Sequence, residues 1–151
     1  MSVVVIGVNH RTSPLQVLEK VAINPSDMAK ALHSLSSRNN IREAVVLSTC
    51  NRTEVYAVTE KFHAAYADIS DFFCELGGLV PDELNNHLYS QHDDAAVTHL
   101  FEVACGLDSA VIGEHEILGQ VRDAWTNAQS EGASRSTLNL LFRHALETGK
   151  R

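Results

Sequence analysis

Runs of β-branched and apolar residues come first in this chain, and stripes at helical spacing dominate its second half. Residues 2–8, Ser-Val-Val-Val-Ile-Gly-Val, predict a buried strand that ends at Asn9. Leu15, Leu18 and Ala22 predict a helix over residues 14–22. Asn24-Pro25 is a helix-start signal, and Met28, Leu32 and Leu35 mark the face that follows. A polar turn at 36–40 leads into an apolar strand at 44–49. A third strand is predicted at 54–58. The short link Cys50-Asn51-Arg52-Thr53 makes the pair a hairpin.

Phe62, Tyr66, Ile69, Phe73 and Leu76 form an amphipathic helix that Gly77-Gly78 stops. Residues 87–91 are a weaker strand. The order strand, helix, strand, strand, helix, strand predicts an α+β fold: a ferredoxin-like antiparallel sheet of split βαβ type, followed by C-terminal helices. In those helices Asp93 or Asp94 is expected to cap a stripe of Val97, Leu100, Phe101 and Ala104. Ile117, Val121, Ala124, Trp125 and Ala128 mark the next helix, and Leu138, Leu141, Phe142 and Ala145 the last. The division expected is a ferredoxin-like part at 1–92 and a helical part at 93–151. The last helix is still amphipathic where the sequence stops at Gly149-Lys150-Arg151, so a domain excised from a longer chain is expected.

Composition narrows the class. With 151 residues, 44% hydrophobic and 21% charged, the chain can build a true core. A net charge of −7 argues against non-specific nucleic-acid binding, which needs positive surface. The N-terminus lacks the basic start and long apolar run of a signal peptide, and no stretch is long enough to cross a membrane. Three cysteines without a C-x-x-C pair make a reducing cytoplasm the default.

Three places could carry chemistry. Val45-Val46-Leu47 leads straight into Ser48-Thr49-Cys50-Asn51-Arg52, so a buried strand delivers a thiol to its open end. Arg52 could lower the thiol pKa or clamp a carboxylate; a small apolar Cys50 beside a surface arginine is the bland alternative. Cys74 and Cys105 sit on helical apolar stripes and are expected to be inert. His99 lies off its helix's stripe, which leaves open a solvent-facing residue or a general acid/base. Residues 108–120 join two helices and carry Ser109, Glu114, His115, Glu116 and Gln120. No metal site is expected there, because a zincin would need histidine where Gly119 stands. No glycine-rich phosphate loop is present, so no nicotinamide site is visible.

Three blocks converge on one family. Residues 7–14 (Gly-Val-Asn-His-Arg-Thr-Ser-Pro), residues 48–56 (Ser-Thr-Cys-Asn-Arg-Thr-Glu-Val-Tyr) and residues 109–120 resemble the signature blocks of glutamyl-tRNA reductase. The likeness covers essentially the whole chain in order and implies its N-terminal, thioester-forming domain. It implies Cys50 as nucleophile on the ester carbonyl of glutamyl-tRNA and His99 as a second catalytic position. Thr49, Asn51, Arg52, Ser109, Glu114, His115, Glu116 and Gln120 match glutamate-binding positions. Within that resemblance Arg52 would take the side-chain carboxylate, Glu114 or Glu116 the ammonium, and a locally basic pocket the tRNA 3′ end. NADPH would bind a domain outside this chain. The product would be glutamate-1-semialdehyde for tetrapyrrole synthesis. The full-length protein would be a cytoplasmic homodimer, with the downstream aminomutase as a further partner. Two other readings stand beside it: a free-standing cysteine acyltransferase or hydrolase, and a non-catalytic ferredoxin-like RNA-binding or regulatory module.

Overall fold

Four strands form one antiparallel sheet: β1 Ser2–Asn9, β2 Glu43–Ser48, β3 Arg52–Thr59 and β4 Tyr89–His92, in the order β2-β3-β1-β4. The computed structural model describes residues 1–109 and 116–150. β1 lies along the full length of β3, from Ser2 opposite Thr59 to Asn9 opposite Arg52. Since β1 and β2 both run antiparallel to β3, they are parallel to each other with β3 inserted between them.

Seven α-helices are described: α1 Leu15–Lys20, α2 Met28–Ser36, α3 Phe62–Gly77, α4 Pro81–Leu84, α5 Asp94–Ala104, α6 Glu116–Ser130 and α7 Ser136–Gly149. α2 and α3 pack on each other and on the sheet, and α5, α6 and α7 form a second group that also contacts it. Both faces are therefore covered. Every residue of β3 is buried, although successive side chains point to opposite faces. This explains why the strands read as continuous apolar runs rather than alternating ones.

The structure corrects several sequence boundaries. The hairpin loop is tighter than the four-residue link: Thr49 N–H donates to the Arg52 carbonyl at 2.8 Å, and Arg52 and Thr53 already belong to β3. A buried arginine in a strand is not an apolar signal, so the predicted strand starts two residues after the observed one does. In α5 the inward face is Ala96, Leu100, Val103 and Ala104, one residue off the expected stripe, with Val97 and Phe101 half-buried. Neither aspartate side chain caps α5. Asp93 instead has a positive φ of 52° and donates its N–H to the Val3 carbonyl, turning the chain from β4 into the helix. Leu15, expected on an apolar face, is exposed.

One polar contact fixes the far end of the sheet. Glu43, at the start of β2, is buried and accepts the backbone N–H groups of Arg135 (2.7 Å), Leu138 (2.9 Å) and Thr137 (3.3 Å). A carboxylate from a neighbouring strand thus satisfies the orphan donors of α7.

Candidate active site

The site grows from the sheet's other end. In β3 the residues Arg52, Glu54 and Tyr56 alternate, so all three point to one face, the face on which α7 lays Phe142 against Tyr56. Glu54 is fully buried. Its Oε1 accepts the Tyr56 hydroxyl at 2.8 Å. Its Oε2 accepts Arg52 NH1 at 3.1 Å, His99 Nε2 at 2.5 Å and the Tyr89 hydroxyl. Four side chains from three elements meet on one carboxylate.

Arg52 is 1% exposed and extends the cluster. Its NH1 also donates to Asp108 Oδ2 at 3.0 Å, and its NH2 to the Asp108 backbone oxygen at 2.5 Å. Asp108 in turn pairs with Arg11 at 2.6 Å. Charges therefore alternate from Arg11 through Asp108, Arg52 and Glu54 to His99. The expected basic pocket is instead a compensated network, because Arg52 is already flanked by two carboxylates.

Burial alone would push the Glu54 carboxyl up, but the hydrogen bond and charge of His99, then Arg52 and Tyr89, hold it below its usual range. Burial likewise disfavours the His99 cation, and Glu54 more than offsets it, so the imidazole titrates above its usual value. For Asp108, burial is outweighed by Arg11 and Arg52, and its carboxyl is lowered. Burial and Glu54 push both tyrosine hydroxyls up, so they remain donors.

In front of this network lies a cleft lined by Thr49, Cys50, Asn51, Arg52, Ser109, Glu116, Ile117 and Gln120. Seven of the residues singled out from sequence meet there. Cys50 is exposed at the tip of the β2–β3 hairpin. The hairpin is braced from both sides: Asn51 N–H donates to Thr49 Oγ1 (3.1 Å), and His10 N–H to the Asn51 carbonyl (2.9 Å). Glu116 opens α6 and Gln120 follows one turn later. Glu114 and His115 lie outside the described residues. His99 is not in this cleft. It faces a separate shallow groove with Gln91, Asp94, Thr98 and Glu102, and is linked to Arg52 through Glu54. Its side chain is only 13% exposed, so the solvent-facing alternative does not hold. Cys74 and Cys105 are half-buried, and burial followed by Asp71, Glu75 and Glu83 raises the Cys74 thiol.

Sequence reasoning did not single out Glu54, Tyr56, Tyr89, Asp108 or Arg11 as site residues. The signal for the first two was the alternation Arg52-x-Glu54-x-Tyr56, a polar face on a strand with otherwise apolar neighbours. Gly7 belongs with them. It sits opposite Glu54, and a Cβ there would come within 2.5 Å of the Thr53 carbonyl oxygen and 2.9 Å of Glu54 Cα. Among the described residues no cluster of histidine, cysteine and carboxylate side chains could hold a metal, and no helix is long and apolar enough to cross a membrane.

Fold and site together define a mixed α/β domain with a four-stranded antiparallel sheet that presents one exposed cysteine in a cleft backed by a buried ion network. A family model described as the glutamyl-tRNAGlu reductase N-terminal domain matches residues 6–151. Over all 151 residues the chain is 51% identical to the glutamyl-tRNA reductase of Frankia alni and 44% identical to that of Bacillus subtilis, covering 32% and 33% of those proteins. The solved structure of glutamyl-tRNA reductase from Methanopyrus kandleri superimposes with a TM-score of 0.76 at 33% identity, over 99% of this chain and 33% of that one. The chain belongs to the glutamyl-tRNA reductase N-terminal domain family. It spans about a third of the length of the curated relatives it matches.

Proposed function

We propose that this chain carries out the thioester-forming half of glutamyl-tRNA reduction. The observation that carries the reading is the cleft itself, where the exposed Cys50 meets Thr49, Asn51, Arg52, Ser109, Glu116 and Gln120. The Cys50 sulfur attacks the carbonyl of the glutamyl ester. The S–C bond forms, the C–O bond to the tRNA ribose breaks, and the thiol's proton ends on the ribose hydroxyl. Arg52 lines the cleft and would select the glutamate carboxylate over a neutral amide by exchanging its bonds to Asp108 for the substrate. Ser109, Glu116 and Gln120, with Glu114 and His115, hold the remaining polar groups. His99 acts through Glu54, fixing the Arg52 guanidinium beside the hairpin.

The sheet order β2-β3-β1-β4 supports the ferredoxin-like, split βαβ reading of residues 1–92, with 93–151 as the helical part. NADPH is the hydride donor of the complete enzyme, and the residues described here do not fit it. Gly7 lies within β1 and faces Glu54 and Thr53, not a phosphate turn. We assign the nicotinamide to a part of the protein outside this chain. There the full-length protein also dimerises, in the cytoplasm, and hands its semialdehyde to an aminomutase. Membership of a reductase family favours this reading over a free-standing hydrolase or a non-catalytic module.

The test is intact-protein mass spectrometry after incubation with glutamyl-tRNA. A glutamyl adduct on Cys50 is expected, and Cys50→Ala abolishes it. An adduct that persists on Cys74 or Cys105 in that variant overturns the assignment.

A further inference from the structure

A second cavity adjoins the Cys50 cleft, and Gln120 lines both. Its floor is apolar, built from Ile23, Pro25, Met28, Val46, Leu47 and Ala124, and its rim carries Ser48, Gln120 and Asn127. The volume is ≈ 120 Å³. An engineered cavity of about 150 Å³ takes benzene, so this smaller cavity, open on one side, admits one edge of a purine ring and is too small for a whole nucleotide. The polar rim is also specific. Gln120, Ala124 and Asn127 fall at i, i+4 and i+7 on α6, so two carboxamides stand on one helix face above the apolar floor. A carboxamide is the side chain that pairs bidentately with the N6 and N7 atoms of adenine.

We infer that this cavity receives the adenine base of the substrate's terminal nucleoside while the ester carbonyl sits at Cys50. The inference rests on the thioester reading. The base is tethered to the reacting carbonyl by a single ribose, so its site must border the cleft, and continuity through Gln120 provides that border. The base stacks on the floor formed by Met28 and Ala124, and Gln120 and Asn127 meet its polar edge. The cavity between α2 and α3, around Lys30, Phe72 and Glu75, shares no lining residue with the cleft. The arginine-lined one at Arg38, Arg42 and Arg135 borders the opposite end of β2.

The experiment compares two esters with the same leaving oxygen: 2′(3′)-O-glutamyl-adenosine, and the corresponding glutamyl ester of methyl riboside, which lacks a base. Acylation of Cys50 in this chain is followed by intact mass. The adenosine ester is expected to react at least about ten-fold faster, the range of a bidentate base contact plus ring burial. Ala124→Phe, which fills the floor, is expected to erase that ratio without slowing the riboside ester. Asn127→Ala, at an exposed position, is expected to reduce it about five-fold with the fold intact. A ratio near one in the unaltered chain, or equal slowing of both esters by Ala124→Phe and Asn127→Ala, overturns the base site. Failure of both esters to acylate Cys50 overturns the thioester reading beneath it.

Discussion

Two buried glutamates sit on neighbouring strands, and they are satisfied in opposite ways. Glu43, at the start of β2, accepts three backbone N–H groups of α7. Glu54, in β3 toward the other end of the sheet, accepts four side-chain donors: Arg52, Tyr56, Tyr89 and His99. Backbone donors come with any helix terminus, so a carboxylate that only meets them is explained by folding. Side-chain donors had to be supplied one by one, two of them cations that are expensive to bury. Glu43 therefore ties α7 to the sheet. Glu54 organises charge behind an exposed thiol, and that difference marks which end of the molecule does chemistry.

The contrast between the two carboxylates is expected to be greatest at Glu54. Glu54→Ala leaves Arg52 and His99 buried without their shared anion, and removing one partner of a buried pair costs about 3–5 kcal/mol. Urea unfolding is expected to show that loss, with Cys50 acylation by glutamyl-tRNA falling in parallel. Gly7→Ala should come next, at about 1–3 kcal/mol, because the new methyl group drives into the Thr53 carbonyl and the Glu54 backbone. It too should slow acylation, since its strain is delivered to the network. Glu43→Ala is expected to cost about 2 kcal/mol, the scale of a lost helix cap. It should leave the acylation rate of the folded protein unchanged. A Glu43 variant that slowed acylation as much as Gly7→Ala would erase the distinction between the two ends.

How much of this was legible in the sequence follows the same divide. The elements with an apolar stripe were readable: the β1 run, the α3 helix ending at Gly77-Gly78, and the Ile117–Val121–Ala124 face of α6. The position of Cys50 at the hairpin tip was readable too, because only Ser48 and Thr49 separate it from the apolar run Val45-Val46-Leu47, while its role as nucleophile rests on the family resemblance. The network behind it was not. Its members come from β1–α1 (Arg11), β3 (Arg52, Glu54, Tyr56), β4 (Tyr89), α5 (His99) and the turn after it (Asp108). Beyond the alternation Arg52-x-Glu54-x-Tyr56 within β3, no local pattern joins positions so far apart. Burial was misleading as well: Arg52 looks like a surface residue until Glu54 and Asp108 neutralise it, and His99 looks exposed because it falls off the apolar stripe. Polar residues reach the interior through partners, and partners are a property of the fold.

The finest test separates the two glutamates by their effect on one histidine. The raised His99 value means that its ion pair stabilises the fold fully below the ordinary 6.5 and loses that contribution as pH rises through the raised value. The lowered Glu54 value means that its contribution is present above the ordinary 4.5 and is lost as pH falls through the lowered value. Both groups are charged between those limits, and the network is strongest there. An NMR titration of His99 is expected to place its midpoint above 6.5. Glu54→Gln keeps the shape of the side chain and removes the anion, so burial, the largest influence on the imidazole, acts without its main opponent. The midpoint should then drop below 6.5. Glu43→Gln should leave it where it was, because that carboxylate faces the α7 backbone and not the histidine. If Glu54→Gln left the midpoint raised, the cation would owe its stability to Asp108 instead, and Glu54 would be no more than a second structural carboxylate.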